Sequence, residues 1–144
     1  MNIRLIYHSS TGNTAKLANA ISDSLNIKAE RIGDTPISIS EPVDLLFIGD
    51  GIYFGKPNKS MIATIEQLAP QTIKNVAVFA TYGGQAKIGS DLQKLLKDEG
   101  LQIIGEPFVC KGQSWVFMNR KHPDEKDIQN VNVFAKSIVV KVNR

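Results

Sequence analysis

The chain has 144 residues, 42% of them hydrophobic, with eleven glycines and six prolines scattered along it, so disordered and fibrous classes are excluded and one domain with its own core is expected. The net charge is +3, with six basic and seven acidic side chains in residues 1–72 and eleven and seven in residues 73–144. The basic residues are dispersed without an arginine run, which favours a solvated surface over a nucleic-acid face, with a docking face for an acidic protein second.

Apolar runs and helical patterns alternate along the chain. Ile3–Tyr7 predicts a strand, and Asn13–Leu25 a helix with Leu17, Ala18, Ile21 and Leu25 on one face. Ile27–Ile32 is a shorter strand. Val43–Ile48 is a continuous apolar run, as in a strand buried on both faces. Ser60–Leu68 predicts a helix stopped by Pro70, and Val76–Thr81 another buried strand. Ser90–Glu99 carries Leu92, Leu95 and Leu96 on one face, with Gly100 after it as a C-cap signal. Leu101–Val109 is expected to be the last strand. Asp127–Val142 is the last helix, entered through His122-Pro123, with Ile128, Val131, Phe134, Ala135 and Ile138 inward. Five strands alternating with helices imply an α/β fold, a three-layer doubly wound five-stranded parallel sheet spanning residues 1–144 as a single domain. Ligands of such sheets bind beyond the carboxyl ends of the strands.

Cys110 is the only cysteine, which excludes an intramolecular disulfide and a multi-cysteine metal site and fits a reducing compartment. The apolar run Met1–Tyr7 is too short for a signal peptide, and no stretch approaches the ~20 apolar residues of a membrane span. A cytoplasmic protein is expected.

The first loop, Ser9-Ser10-Thr11-Gly12-Asn13-Thr14, offers hydroxyl and amide groups around a glycine and contains no lysine or arginine. Such residues are ordinary N-cap material. They also suit a phosphomonoester, held by backbone N–H groups, neutral donors and the positive end of the next helix. The Walker loop and the three-glycine dinucleotide fingerprint are missing.

Two further loops fall on the same edge. Gly49–Pro57 carries adjacent Tyr53 and Phe54, which either pack under the next helix or stack on a flat heteroaromatic ring. Ala80–Gln85 carries Tyr82, a candidate for the opposite ring face, and the pair Gly83-Gly84. His8 receives no role. Cys110 reads as a small core residue, and Trp115 either covers a ligand or packs locally. Asp50 stands where a phosphorylated receiver would carry its aspartate, but the acidic pair needed after the first strand is replaced by His8-Ser9-Ser10.

Leu5-Ile6-Tyr7 leading into Ser9, Gly12 and Thr14, then Ala18 and Ile21, resembles the flavodoxin family, and the resemblance runs the length of the chain. It implies a flavodoxin-like sheet of order 2-1-3-4-5 and a non-covalently bound FMN. The terminal phosphate would lie on Ser9, Ser10, Thr11, Gly12, Asn13 and Thr14. The flavin would lie against Ile52, Tyr53, Phe54, Gly55, Lys56, Thr81, Tyr82, Gly83 and Gly84. The implied role is a monomeric low-potential carrier of single electrons between a reductase donor and an acceptor enzyme. The family's redox-linked peptide rotation would fall at Gly55–Lys56, with Phe54–Gly55 second. Lys56 and Lys59 replace residues commonly acidic in relatives, which implies a weaker reductant than the acidic members. A flavodoxin-like FMN oxidoreductase acting on a quinone, a porphyrinogen or NAD(P)H is the main alternative, and a dedicated activator docking one acceptor is the third.

Overall fold

Side chains of successive strand residues point to opposite faces, so a strand apolar at every position must be covered on both. The computed structural model describes residues 1–52, 57–83, 87–111 and 123–144. In it the strands are β1 (Ile3–Tyr7), β2 (Ala29–Arg31), β3 (Leu45–Ile52), β4 (Val76–Tyr82) and β5 (Phe108–Lys111). They pair in parallel in the order β2-β1-β3-β4-β5, as expected. The helices are α1 (Asn13–Leu25), α2 (Lys59–Glu66), α3 (Ile88–Asp98) and α4 (Glu125–Val142).

Alternation sorts the strand residues into two cores. Leu5, Tyr7, Leu45, Phe47, Ala77 and Phe79 pack with Leu17, Ala18 and Ile21 of α1 and Val131, Ala135 and Ile138 of α4. Ile6, Leu46, Ile48, Val78 and Ala80 pack with Met61 and Ile65 of α2 and Leu92 and Leu96 of α3. Each large apolar side chain buried this way contributes about 1.5–3 kcal/mol. Phe134 joins α4 to the sheet, meeting Phe47 edge-on at 6.3 Å and Phe108 at 5.6 Å between centroids.

Several boundaries differ from the sequence reading. β3 runs on through Gly49-Asp50-Gly51-Ile52, which the sequence suggests as a loop, because β1 pairs with it as far as Gly49 and β4 carries the ladder on to the Ile52–Tyr82 pair. Gly49 is required there by close approach: a Cβ would fall 2.2–2.6 Å from ring carbons of Phe79. β4 likewise extends to Tyr82, so Ala80–Tyr82 belong to the strand. The last strand does not begin at Leu101. Ile103 makes one isolated bridge to Val76, and the chain rejoins the ladder only after Pro107, which has no N–H to donate. β2 is shorter than Ile27–Ile32. α4 starts two residues before Asp127, on a capping box in which Asp124 and Asp127 exchange hydrogen bonds at 2.9 Å.

Candidate anion and ring site at the carboxyl edge

The turn from β1 into α1 is shaped by Gly12, whose φ of +90° lies in the left-handed region that side chains disfavour. Nothing lies within 4 Å of where its Cβ would be, so conformation rather than space selects glycine. Ser9 is buried, and its Oγ accepts from the N–H groups of Gly12 (3.1 Å) and Ala15 (3.2 Å). The hydroxyl therefore caps α1 from outside the helix, a role the N-cap residue Gly12 cannot fill. Asn13 Nδ2 donates to Thr11 Oγ1 at 2.9 Å.

Asn13 and Thr14 are buried, while Ser10 and Thr11 are exposed. Among the described residues, the N–H groups of Ser10, Thr11 and Thr14 have no acceptor. Donors left over at a helix N-terminus, beside a left-handed glycine, form a concavity for an anion. No carboxylate stands in the loop.

Thr14 Oγ1 and Thr81 Oγ1 share a buried hydrogen bond at 2.9 Å, which ties the first turn of α1 to the end of β4. Thr81 is fully buried, Tyr82 half-buried and Gly83 buried. The backbone of Ile52 pairs with Tyr82 across β3 and β4. The structure thus brings Ser9–Thr14 together with Thr81 and aligns Ile52 with Tyr82. Tyr53, Phe54, Gly55, Lys56 and Gly84 lie outside the described residues, as do Trp115 and the Gly55–Lys56 peptide.

Four residues given no binding role by the sequence, His8, Asp50, Asn58 and Arg31, belong to this edge. Asp50 is fully buried in β3, and its carboxylate accepts from His8 Nδ1 at 3.0 Å, Gly51 N–H at 2.7 Å and Asn58 N–H at 3.4 Å. A buried carboxylate without such donors would be costly. Here it fastens the end of β1 to both flanks of residues 53–56. Asn58 in turn caps α2 through Oδ1, which accepts from the Ser60 N–H at 2.8 Å. Arg31, the last residue of β2, donates from Nη2 to the carbonyl oxygen of Ser9 at 2.5 Å. The signal for these contacts is register: Tyr7 is opposite Gly49 on one side and Arg31 on the other.

Cys110 pairs with Thr81 in the sheet and is buried, as the sequence suggests. Burial, helped by Asp127 and Asp124, pushes its thiol up to about 12, so it stays protonated and serves as core rather than nucleophile. Among the described residues, no group of three His, Cys, Asp or Glu side chains is placed to hold a metal ion, and no helix is long and apolar enough to cross a membrane.

Comparison with known proteins agrees with this geometry. The sequence profile of the Flavodoxin domain matches residues 4–114. The uncharacterized protein MJ0298 of Methanocaldococcus jannaschii is 36% identical over 137 residues, covering 88% of this chain and 90% of that protein. A short-chain flavodoxin associated with a non-canonical PDU bacterial microcompartment superposes with a TM-score of 0.74 at 20% identity, over 99% of both chains. The rubredoxin:oxygen oxidoreductase of Desulfovibrio gigas reaches 0.78 at 14% identity, with 99% of this chain covering 36% of that larger one.

Proposed function

We propose, for a chain that belongs to the Flavodoxin domain family, that it binds FMN non-covalently and carries single electrons between a donor reductase and an acceptor enzyme. The observation that carries this reading is the set of N–H groups of Ser10, Thr11 and Thr14, without an acceptor among the described residues, in a turn with neutral side chains at the positive end of α1. This donor set fits the phosphate of FMN. It would hold that group as an anchor, and among the described residues no group of three His, Cys, Asp or Glu side chains is placed to hold a metal ion beside it.

When bound, the flavin would supply reversible one-electron chemistry, and the protein would supply position and electrostatics. Ser9 holds the turn in shape by capping Ala15. Thr14 and Thr81 keep the anchor at a fixed distance from the end of β4, where Tyr82 and Gly83 would meet the ring. Asp50, through Gly51 and Asn58, holds the two flanks of the segment that would cover the other side of the ring. A monomer working in the cytoplasm, without membrane or nucleic-acid contact, completes the proposal.

The test is an absorbance spectrum of the purified protein reconstituted with FMN, followed by stepwise anaerobic reduction with dithionite. Flavin bands, two resolved one-electron steps and no turnover of NAD(P)H or quinone without an added reductase are the expected results. Direct oxidation of NAD(P)H or a quinol would replace the carrier with an FMN oxidoreductase. Failure to retain FMN would end both readings.

A further inference from the structure

The phosphate loop contains no basic residue, yet the fold delivers one to it. Parallel pairing sets Arg31 opposite Tyr7, two residues before Ser9, and its guanidinium donates to the Ser9 carbonyl. Resting on the FMN reading above, we propose that Arg31 is the cation of the phosphate site and the residue that makes it select a phosphomonoester dianion over the dephosphorylated ligand.

Three observations support this. First, the carboxylate next to Arg31 in sequence is already neutralised. Glu30 is held by Arg4 in a two-point fork, Nε to Oε2 at 2.9 Å and Nη2 to Oε1 at 2.6 Å. Second, all fourteen acidic side chains of the chain lie among the described residues, and none is within ion-pair distance of Arg31. Its charge therefore has no internal counterion, although the side chain is fixed on a loop carbonyl. Third, the contact orients the loop. A planar trans peptide sets C=O and N–H on opposite sides, so holding the Ser9 oxygen on Arg31 turns the Ser10 N–H away from it. That N–H is one of the groups without an acceptor among the described residues. The guanidinium therefore stands across the Ser9–Ser10 peptide from that N–H, and its charge acts on an anion there by polarising the peptide and through space rather than by direct contact.

The alternative is that Arg31 only staples β2 to the turn. Calorimetric titration of the flavin-free full chain with FMN and with riboflavin, at low and at high salt, separates the two. For the native protein, FMN affinity should fall with added salt and riboflavin affinity should not. Arg31→Gln removes the charge and keeps a polar side chain. It should bind FMN about tenfold more weakly, keep riboflavin within about twofold and lose most of the salt dependence. Arg31→Lys should retain much of that salt dependence. An Arg31→Gln protein that binds FMN as tightly as the native chain, or loses both ligands equally, overturns the proposal and leaves the FMN reading standing. So does a native protein whose FMN affinity ignores salt, a measurement that needs no variant. A native protein that binds no FMN overturns both.

Discussion

At the amino end of the sheet, polar groups close on one another. Asp44 accepts from the Asn2 N–H at 2.6 Å and faces Lys74 Nζ at 3.4 Å, while Asn75 Nδ2 donates to the Asp44 carbonyl and Asn2 Nδ2 to that of Pro42. These contacts lie at or near the surface. The carboxyl end differs in both burial and completeness. Among the described residues, five of the six buried polar ones, Ser9, Asn13, Thr14, Asp50 and Thr81, gather there, with Thr64 of α2 the exception. Beside them, three N–H groups have no acceptor among the described residues. One end satisfies itself with surface contacts that contribute little, and the other maintains buried polar order around open donors. The second arrangement is the one that the proposed ligand would complete.

This division predicts how lesions should separate. The largest effect belongs to the core between the ends: Phe47→Ala should cost ~3–5 kcal/mol in urea unfolding, while the folded fraction keeps its FMN affinity within about twofold. An affinity loss matching the stability loss would break the division. Next is Gly12→Ala, which has room for its methyl but must hold φ at +90°. It should cost ~1–2 kcal/mol of stability and, as seen by calorimetry, more than tenfold in FMN affinity. Unchanged FMN binding would remove the turn from the site.

The smallest effect belongs to the amino end. The Asn2 N–H, with Lys74 and the N-terminus adding to it against partial desolvation, holds the Asp44 carboxyl below the usual carboxylate range. A lowered folded-state value stabilises the protein above the unfolded carboxylate value, about 3.9, and that contribution is lost as pH falls through the folded value. Asp44→Asn should therefore lower the urea midpoint slightly near pH 7, the gap should close below about pH 4, and FMN affinity should not change. A gap that persists in acid would assign the effect to geometry rather than charge.

Much of this was legible in the chain. The alternation of apolar runs with helical spacing identifies the five-stranded α/β architecture, because burial on both faces leaves continuous apolar strands. The tight turn Ser9–Thr14 into a helix is readable because its requirements, a left-handed glycine and short polar side chains before a helix, are local. Other features were not legible. Gly49-Asp50-Gly51 has turn composition and is nonetheless strand, since the neighbouring ladders and the Phe79 ring decide its backbone. Leu101–Val109 has strand composition and is mostly not strand, since Pro107 cannot donate and only Ile103 meets β4 before it.

The sequence by itself determined the residue types that make the turn and the two apolar faces that close the cores, since both follow from backbone conformation and short-range spacing. Only the tertiary structure decided which charges stand beside that turn. His8 meets Asp50 over 42 positions and Arg31 meets Ser9 over 22, and both contacts exist because parallel pairing sets the ends of β1, β2 and β3 side by side.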